Sequence, residues 1–127
     1  MQYLSIAVGG AIGAVLRFMV SGWAFRLLGT DFPWGTFVVN LLGSFLIGFL
    51  WQLFEFLPIS PNVRSMIFIG GLGAFTTFST FAFESLNLFR AGDYRLGLIN
   101  IIALDVFGIL LGFLGIVLGR ATAALLR

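Results

Sequence analysis

Four apolar stretches, each long enough to cross a bilayer, dominate this chain. They cover roughly residues 3–28, 34–57, 63–90 and 96–119, and short polar turns with glycine or proline separate them. A helix that spans the hydrocarbon core needs about 20 mostly apolar residues. Sixty per cent of the chain is apolar, nine per cent is charged and the mean hydropathy is +1.10. We therefore predict an all-α membrane protein, with residues 1–127 forming a single four-span membrane domain.

Two residue types that support much of protein chemistry are missing from this chain. It has no cysteine, which excludes disulfides and thiolate metal sites. It also has no histidine, the commonest metal ligand and the usual proton carrier near neutral pH. Its positive charges are all arginines and are scattered singly, so there is no basic cluster for nucleic acid. The chain therefore lacks the usual ligands for metal chemistry, the usual proton carrier and a patch for nucleic acid.

The third apolar stretch contains a segment that suits a continuous helix poorly. Residues 70–84 read GGLGAFTTFSTFAFE, which combines glycine and threonine clusters with phenylalanine and hydroxyl groups. Backbone that leaves the helix at membrane depth is tolerated only when it is buried in protein or lines a watery path. We predict a break near residues 73–77 and expect an ion site beside it.

In the first span, Gly9, Gly13 and Arg17 follow one another at i+4 and share a helix face. Glycines at this spacing let another backbone approach closely, and simple helix packing is the plainer role for them. A guanidinium near the bilayer centre costs about 2.5–3.5 kcal/mol on insertion scales, so Arg17 is expected to face protein or water. Arg17 either has a functional role or extends its side chain so that the guanidinium lies at the membrane surface.

The second span carries one narrow polar stripe on an otherwise apolar helix. The stripe consists of Thr36, Asn40, Ser44 and Gly48. Hydrogen bonding to a neighbouring helix explains such a stripe in many membrane proteins. Alternatively, the Asn40 amide faces a pore, where its N–H groups would bind an anion without carrying a charge.

In the third span, Phe75, Phe78 and Phe81 recur every third residue, and Thr76 and Thr80 lie one turn apart. Phenylalanines in a membrane helix commonly face lipid or fill a core. The functional alternative uses the ring quadrupole, whose edge is positive. Rings presented edge-on would stabilise a small anion in a site without formal charge.

The arginines are divided evenly between the two sides of the membrane. With the N-terminus in the cytoplasm, three arginines lie at cytoplasmic span ends and three at the opposite ends: Arg64, Arg120 and Arg127, against Arg26, Arg90 and Arg95. Orientation normally follows a cytoplasmic excess of lysine and arginine, which this chain lacks. Either an insertion partner sets the orientation, or the chain inserts both ways and pairs antiparallel. Four short helices are too few to enclose a pore alone, which favours a dimer.

Over essentially its whole length the sequence resembles the Fluc family of small bacterial fluoride channels, also called CrcB. The matching stretches are GGAIGAVLR at residues 9–17, GTFVVNLLGSF at 35–45 and GLGAFTTFSTF at 71–81. The last is highly specific, whereas the first is weak by itself. The resemblance implies four helices per chain, paired as an antiparallel dual-topology homodimer with two pores. It also implies passive export of cytoplasmic fluoride through the inner (plasma) membrane, which protects against fluoride toxicity.

The resemblance implies roles for individual residues along the pore. Phe78 and Phe81 match the phenylalanines whose edges line the fluoride path, and Asn40 matches the pore asparagine. Ser79 and Thr80 fall on the adjacent hydroxyl positions, and these five residues are the expected fluoride contacts.

Three further positions match residues outside the fluoride path itself. Gly73 and Thr76 match the break residues whose backbone carbonyls, taken from both chains, hold a structural sodium ion at the centre of the dimer. Carbonyl oxygens are suitable ligands for a hard cation, which is consistent with a sodium site at these positions. Arg17 matches an arginine near the pore entrance.

The fourth span departs from the family. Asp105 stands where related chains more often have serine, asparagine or histidine, and Leu104 and Ile109 replace part of a polar track. Asn100 and Asp105 are five residues apart and do not share a helix face. Since an ionised carboxylate would repel fluoride, we expect Asp105 to lie away from the constriction or to be neutralised by hydrogen bonds at a close helix contact.

Two other functions are compatible with four apolar spans. A proton-coupled dual-topology exporter is favoured by the intramembrane acids Glu84 and Asp105, since such acids often carry protons. A structural subunit of a larger membrane complex is the third alternative. Against the exporter, the first span has no central carboxylate.

Overall fold

The computed structural model describes residues 1–126, and within that range it contains helices and turns without strands. Arg127, one of the arginines counted above, lies outside the described residues. The long helices are α1 (Gln2–Leu28), α2 (Trp34–Phe54), α5 (Phe78–Arg90) and α6 (Tyr94–Leu125); between α2 and α5 lie α3 (Pro61–Ser65), a π-helical segment (Met66–Leu72) and α4 (Gly73–Phe75).

Four segments are long and apolar enough to cross a membrane, and they correspond to the four predicted spans. They are Gln2–Leu28, Trp34–Phe54, Pro61–Arg90 and Tyr94–Leu125. The last continues six residues beyond the predicted end at residue 119, because alanine and leucine sustain the helix there. The prediction of an all-helical, four-span membrane protein is confirmed.

Specific residues begin and end the helices. The Ser60 side chain accepts a hydrogen bond from the Val63 N–H at 3.3 Å, with Pro61 at the first helical position of α3. The Asp93 carboxylate accepts one from the Leu96 N–H at 3.3 Å at the start of α6. Gly92, just before it, has a φ of 82°, which glycine adopts without strain. The turns between spans are therefore short and well defined.

Helix α1 packs closely against the π-helical segment. A Cβ atom at Gly9 would overlap the Met66 carbonyl oxygen, and one at Gly13 would overlap the Gly71 carbonyl oxygen. The two glycines are thus the surface on which two backbones meet, as their spacing predicts. Helix α2 packs along α6, and α5 packs against α6. The third span is thereby held between α1 on one side and the α2–α6 pair on the other.

The third span is distorted over a longer stretch than the sequence predicts. The π-helical segment comes first, and the helix is then lost only at Thr76 (φ −90°, ψ 158°) and Thr77 (φ −151°, ψ 116°). The predicted break is confirmed, but Gly73 itself is helical, with φ −62° and ψ −36°. Threonine is β-branched and tolerates the extended conformation, so two adjacent threonines are a suitable place for the chain to leave the helix. π-Helical turns are rare and often mark functional sites.

Candidate functional site

Asn40 of α2 holds the extended break in place. Its Nδ2 donates to the Thr77 carbonyl oxygen at 2.9 Å, and its Oδ1 accepts from the Thr77 N–H at 2.8 Å. One side-chain amide therefore replaces two backbone partners that a broken helix loses. An amide nitrogen has two N–H groups, so Asn40 still has one for another acceptor. Asn40 therefore hydrogen-bonds a neighbouring span, and its second N–H leaves the interpretation of a pore-facing amide open as a prediction.

The break exposes two backbone carbonyls. In an unbroken helix the Thr77 N–H would bond the Gly73 carbonyl and the Thr80 N–H would bond the Thr76 carbonyl. Here the Thr77 N–H goes to Asn40, and the Thr80 N–H goes to the Thr77 hydroxyl at 3.2 Å. The Gly73 and Thr76 carbonyls consequently lose the donors that a continuous helix would supply.

The hydroxyl groups that follow the break are engaged in starting α5. Thr77 Oγ1 caps the helix, donates to Thr80 Oγ1 at 3.1 Å and lies 3.3 Å from Ser79 Oγ. Ser79 and Thr80 do not line the groove described next. Both hydroxyls are bonded to Thr77, which does line that groove, so they lie next to it.

An open groove lies beside the break, between α2, α5 and α6. Its volume is about 570 Å³, which accommodates many water molecules at roughly 30 Å³ each. Asn40 and Ser44 form one wall, and Gly73, Thr76 and Thr77 line it at the break. Five polar or backbone-exposing positions thus meet at one site in an otherwise apolar protein.

Phe78 and Phe81 form the aromatic part of the same groove. Their ring centroids are 5.6 Å apart with an interplanar angle of 65°, an edge-to-face arrangement. Phe81 is buried at 6% exposure, whereas Phe78 is 77% exposed. One ring is fixed by the protein and the other stands free at the open side of the groove.

Asp105 lies on the groove wall contributed by α6, and it is exposed. Within residues 1–126 its carboxylate has no hydrogen bond or ion pair. The expectation of a close helix contact holds for its neighbour Gly108, whose missing Cβ would lie 3.6 Å from Ser44 Oγ. It is wrong for Asp105 itself, because this side of α6 opens into the groove instead of meeting α2. Asp105 therefore lines the same groove as Phe78 and Phe81.

Two polar pairs attach α5 to its neighbours. Thr36 of α2 donates to Glu84 Oε1 at 2.6 Å, and Glu84 Oε2 is buried without a partner among the described residues. Asn100 of α6 donates to Ser85 Oγ at 2.9 Å. Glu84 and Asn100 lie outside the groove lining.

Arg17 is half-buried on α1 and does not line the groove. It has no ion pair or hydrogen bond within the described part of the chain. The same residues contain no group of three or more Asp, Glu, His or Cys side chains that would hold a metal ion. A cation at this site would therefore depend on backbone oxygens.

Thr77 is the groove-lining residue to which the sequence analysis assigned no separate role. Its backbone is the target of Asn40, and its side chain caps α5. A threonine immediately before an apolar helical run is a recognised helix-start signal, and this signal is present in the sequence. The pairing with Asn40, 37 residues earlier, has no local signature.

The helices and the groove together define a class: a small multi-pass membrane protein with a broken third span beside a polar and aromatic groove. A family profile described as "CrcB-like protein, Camphor Resistance (CrcB)" matches residues 4–119. The chain belongs to this family.

Similar proteins cover almost the whole chain. "Fluoride-specific ion channel FluC" of Magnetococcus marinus is 47% identical over 121 residues, which is 94% of this chain and 98% of the relative. The protein of the same name from Parabacteroides distasonis is 43% identical over 122 residues, 96% of this chain and 95% of the relative. That from Agrobacterium fabrum is 46% identical over 116 residues, 91% and 93% respectively. The resemblance identified from the sequence is confirmed.

Proposed function

We propose that this protein is a fluoride-specific ion channel of the plasma membrane, which lets cytoplasmic fluoride leave passively. The observation that carries the proposal is identity of 43–47% across nearly the full length with relatives named as such channels. The groove geometry supports it, because uncharged donors and aromatic rings line one groove beside a break in a membrane-spanning helix.

The groove residues supply what a small anion needs on leaving water. Moving even a carboxylate-sized ion into a low-dielectric medium costs of order 20 kcal/mol by Born estimate, and fluoride is smaller. The remaining N–H of Asn40 and the ring edges of Phe78 and Phe81 replace part of that hydration. Several weak contacts in series suit conduction, because the ion must also leave.

The channel is an antiparallel homodimer in this proposal. The groove is open on the side where Phe78 is 77% exposed, so one chain does not enclose a path by itself. A second copy of the chain would close this open side. The even distribution of arginines allows the two opposite orientations that an antiparallel pair requires.

A structural sodium ion at the dimer centre fits the backbone at the break. The carbonyl oxygens of Gly73 and Thr76 from each chain would hold it, since both lack their helical donors and hard cations prefer oxygen ligands. When bound, the ion would supply a fixed positive charge between the two copies.

The proton-coupled exporter is less well supported than the channel. Glu84, one of its two candidate acids, lies outside the groove and is hydrogen-bonded to Thr36. Only Asp105 remains in the groove. The relatives are named as channels, and none of those cited is named as an exporter.

An efflux assay on purified protein tests the function directly. Liposomes loaded with potassium fluoride and treated with valinomycin are expected to release fluoride down its gradient, as measured with a fluoride electrode. Matched liposomes loaded with potassium chloride are expected to release almost no chloride. Comparable chloride release, or fluoride movement that stops without a proton gradient, would contradict a fluoride-specific channel.

A further inference from the structure

A buried hydrogen-bond chain runs from α6 to the turn of α5 that carries Phe81. Asn100 Nδ2 donates to Ser85 Oγ at 2.9 Å, and Ser85 Oγ donates to the Phe81 carbonyl oxygen at 2.8 Å. Asn100 is 2% exposed, Ser85 is 4% exposed and Phe81 is 6% exposed. All three polar partners are thus shielded from solvent and lipid.

The groups at the two ends of this hydrogen-bond chain fix which atom donates in each hydrogen bond. The Asn100 amide occupies a lone pair of the Ser85 hydroxyl, so the hydroxyl proton points to another acceptor, which is the Phe81 carbonyl. Hydrogen bonds in series polarise one another and strengthen in a low-dielectric interior. A serine bonded to the carbonyl four residues earlier also bends a helix locally. The pair therefore acts on the backbone of the groove phenylalanine.

Among the described residues, this hydrogen-bond chain is one of two side-chain hydrogen-bond links from α5 to α2 or α6. The other is the Thr36–Glu84 bond to α2, which lies on the neighbouring residue of α5. Asn100 and Ser85 themselves do not line the groove. Phe81 is the groove-lining residue to which their hydrogen bonds connect them.

We propose that Asn100 and Ser85 are positioning residues that hold the Phe81 ring in its place at the groove and thereby set fluoride flux and fluoride-over-chloride selectivity. The link to flux rests on the proposed function; the link to ring position does not. A merely structural role would reduce the amount of folded channel while leaving the ring and the selectivity of each channel unchanged.

The ring position is tested by placing 4-fluorophenylalanine at position 81 alone and recording ¹⁹F NMR spectra. Ser85→Ala and Asn100→Leu are each expected to shift or broaden the resonance. The matched control is Thr122→Ala, which removes a similar hydroxyl bond to the Leu118 carbonyl (2.8 Å) on a distant part of α6. It is expected to leave the resonance unchanged. An unchanged resonance in assembled Ser85→Ala protein would overturn the proposal.

The functional consequence is tested with unlabelled variants in the two efflux assays. Ser85→Ala and Asn100→Leu are each expected to lower fluoride flux per assembled channel by about threefold or more, with a rise in the chloride-to-fluoride ratio. The double variant is expected to be no worse than the poorer single one, because both remove the same chain. Ser85→Thr, which keeps the hydroxyl, is expected to retain selectivity.

The outcomes separate this proposal from the proposed function. Additive losses in the double variant, or a chloride-to-fluoride ratio equal to that of the wild type in both single variants, would overturn the positioning role. If Asn100→Leu does not assemble, Ser85→Ala decides, because it removes only one oxygen atom. If the wild-type channel does not conduct fluoride, the proposed function fails, and the NMR comparison still decides whether the pair positions Phe81.

Discussion

Asn40 illustrates how one residue serves both the fold and the proposed function. Its Oδ1 and one N–H are committed to the backbone of Thr77, which fixes the direction of the amide. The second N–H stays available on the groove side. The donor offered to an anion is therefore rigid, because the interactions that maintain the break also hold the amide.

The loss of fluoride flux in Asn40 variants is expected to depend on which groups of the side chain are removed or replaced. Asn40→Ser loses the pairing with Thr77, which lowers fluoride flux by at least about fivefold if one buried hydrogen bond is lost. Asn40→Asp is expected to abolish flux, because it adds a negative charge and sets a carboxylate oxygen against the Thr77 carbonyl. Asn87→Asp, the same change at an exposed site of α5, is the control in the fluoride electrode assay. Flux in Asn40→Asp equal to that in Asn40→Ser would contradict this ranking.

The two groove phenylalanines are expected to act through their rings and not only through their bulk. Phe78→Ile and Phe81→Ile roughly keep the volume but remove the positive ring edge, so each is expected to lower fluoride flux by about tenfold while the dimer still forms. Phe83→Ile is the matched control, since Phe83 is 60% exposed on the same helix and outside the groove. Wild-type flux in both groove variants would show that the two side chains contribute only packing.

Asp105 is expected to weaken anion entry without being needed for it. Its carboxylate has no partner within residues 1–126 and lines the groove, so Asp105→Asn removes a repulsive charge. Flux is expected to rise, by less than about tenfold because the charge of an exposed side chain is partly screened, with selectivity and thermal stability unchanged. Asp31→Asn in the exposed α1–α2 turn is the control. Loss of flux in a correctly assembled Asp105→Asn channel would make the acid part of the mechanism.

At the scale of the helices, the contact between α1 and the π-helical segment is the most sensitive to an added methyl group. Gly13→Ala places a Cβ against the Gly71 carbonyl, and overpacking of this kind costs about 1–3 kcal/mol. A lower melting temperature is expected in detergent. Gly10→Ala is the matched control one position from Gly9, where the nearest atom would be the Gly70 oxygen at 3.9 Å. Equal melting temperatures for the two variants would show that α1 can move away without cost.

The helices were predictable from the sequence to the extent that their causes are local. Span length, the glycine contact of α1 and the break at the two threonines all follow from nearby residues. The π-helical segment was not predicted, because it arises where the third span accommodates α1 at Gly9 and Gly13. Helix angles alone also misplaced Asp105, since they give its face but not whether α2 covers that face.

The groove residues also divide into those that the sequence predicted and those whose position depends on the folded structure. Asn40, Phe78 and Phe81 were proposed from helical spacing and resemblance, and the structure brings them together. Ser79 and Thr80 were assigned to the path by resemblance, and the structure shows their hydroxyls bonded to Thr77, which lines the groove, without lining it themselves. A capping role depends on where the helix begins, which composition does not determine to the residue.

For the whole molecule, antiparallel pairing makes a prediction about orientation. Because the chain has no cysteine, Thr30→Cys in the exposed α1–α2 turn gives one reporter per copy. With both orientations present, about half of the copies are expected to react with a membrane-impermeant thiol reagent before the vesicles are opened, and the rest afterwards. Labelling of every copy from one side only would contradict dual topology.

Biasing the orientation is expected to impair the channel itself. Two lysines added after Arg127 favour the orientation that keeps this end in the cytoplasm, because insertion retains positive charge on that side. Fewer opposite pairs then form, so labelling of the Thr30→Cys reporter becomes unequal and fluoride flux per milligram falls in parallel. Two added glutamines are the control and are expected to change neither quantity. Full flux from protein with one uniform orientation would mean that parallel or single copies conduct, and the open side of the groove beside Phe78 would then need another wall.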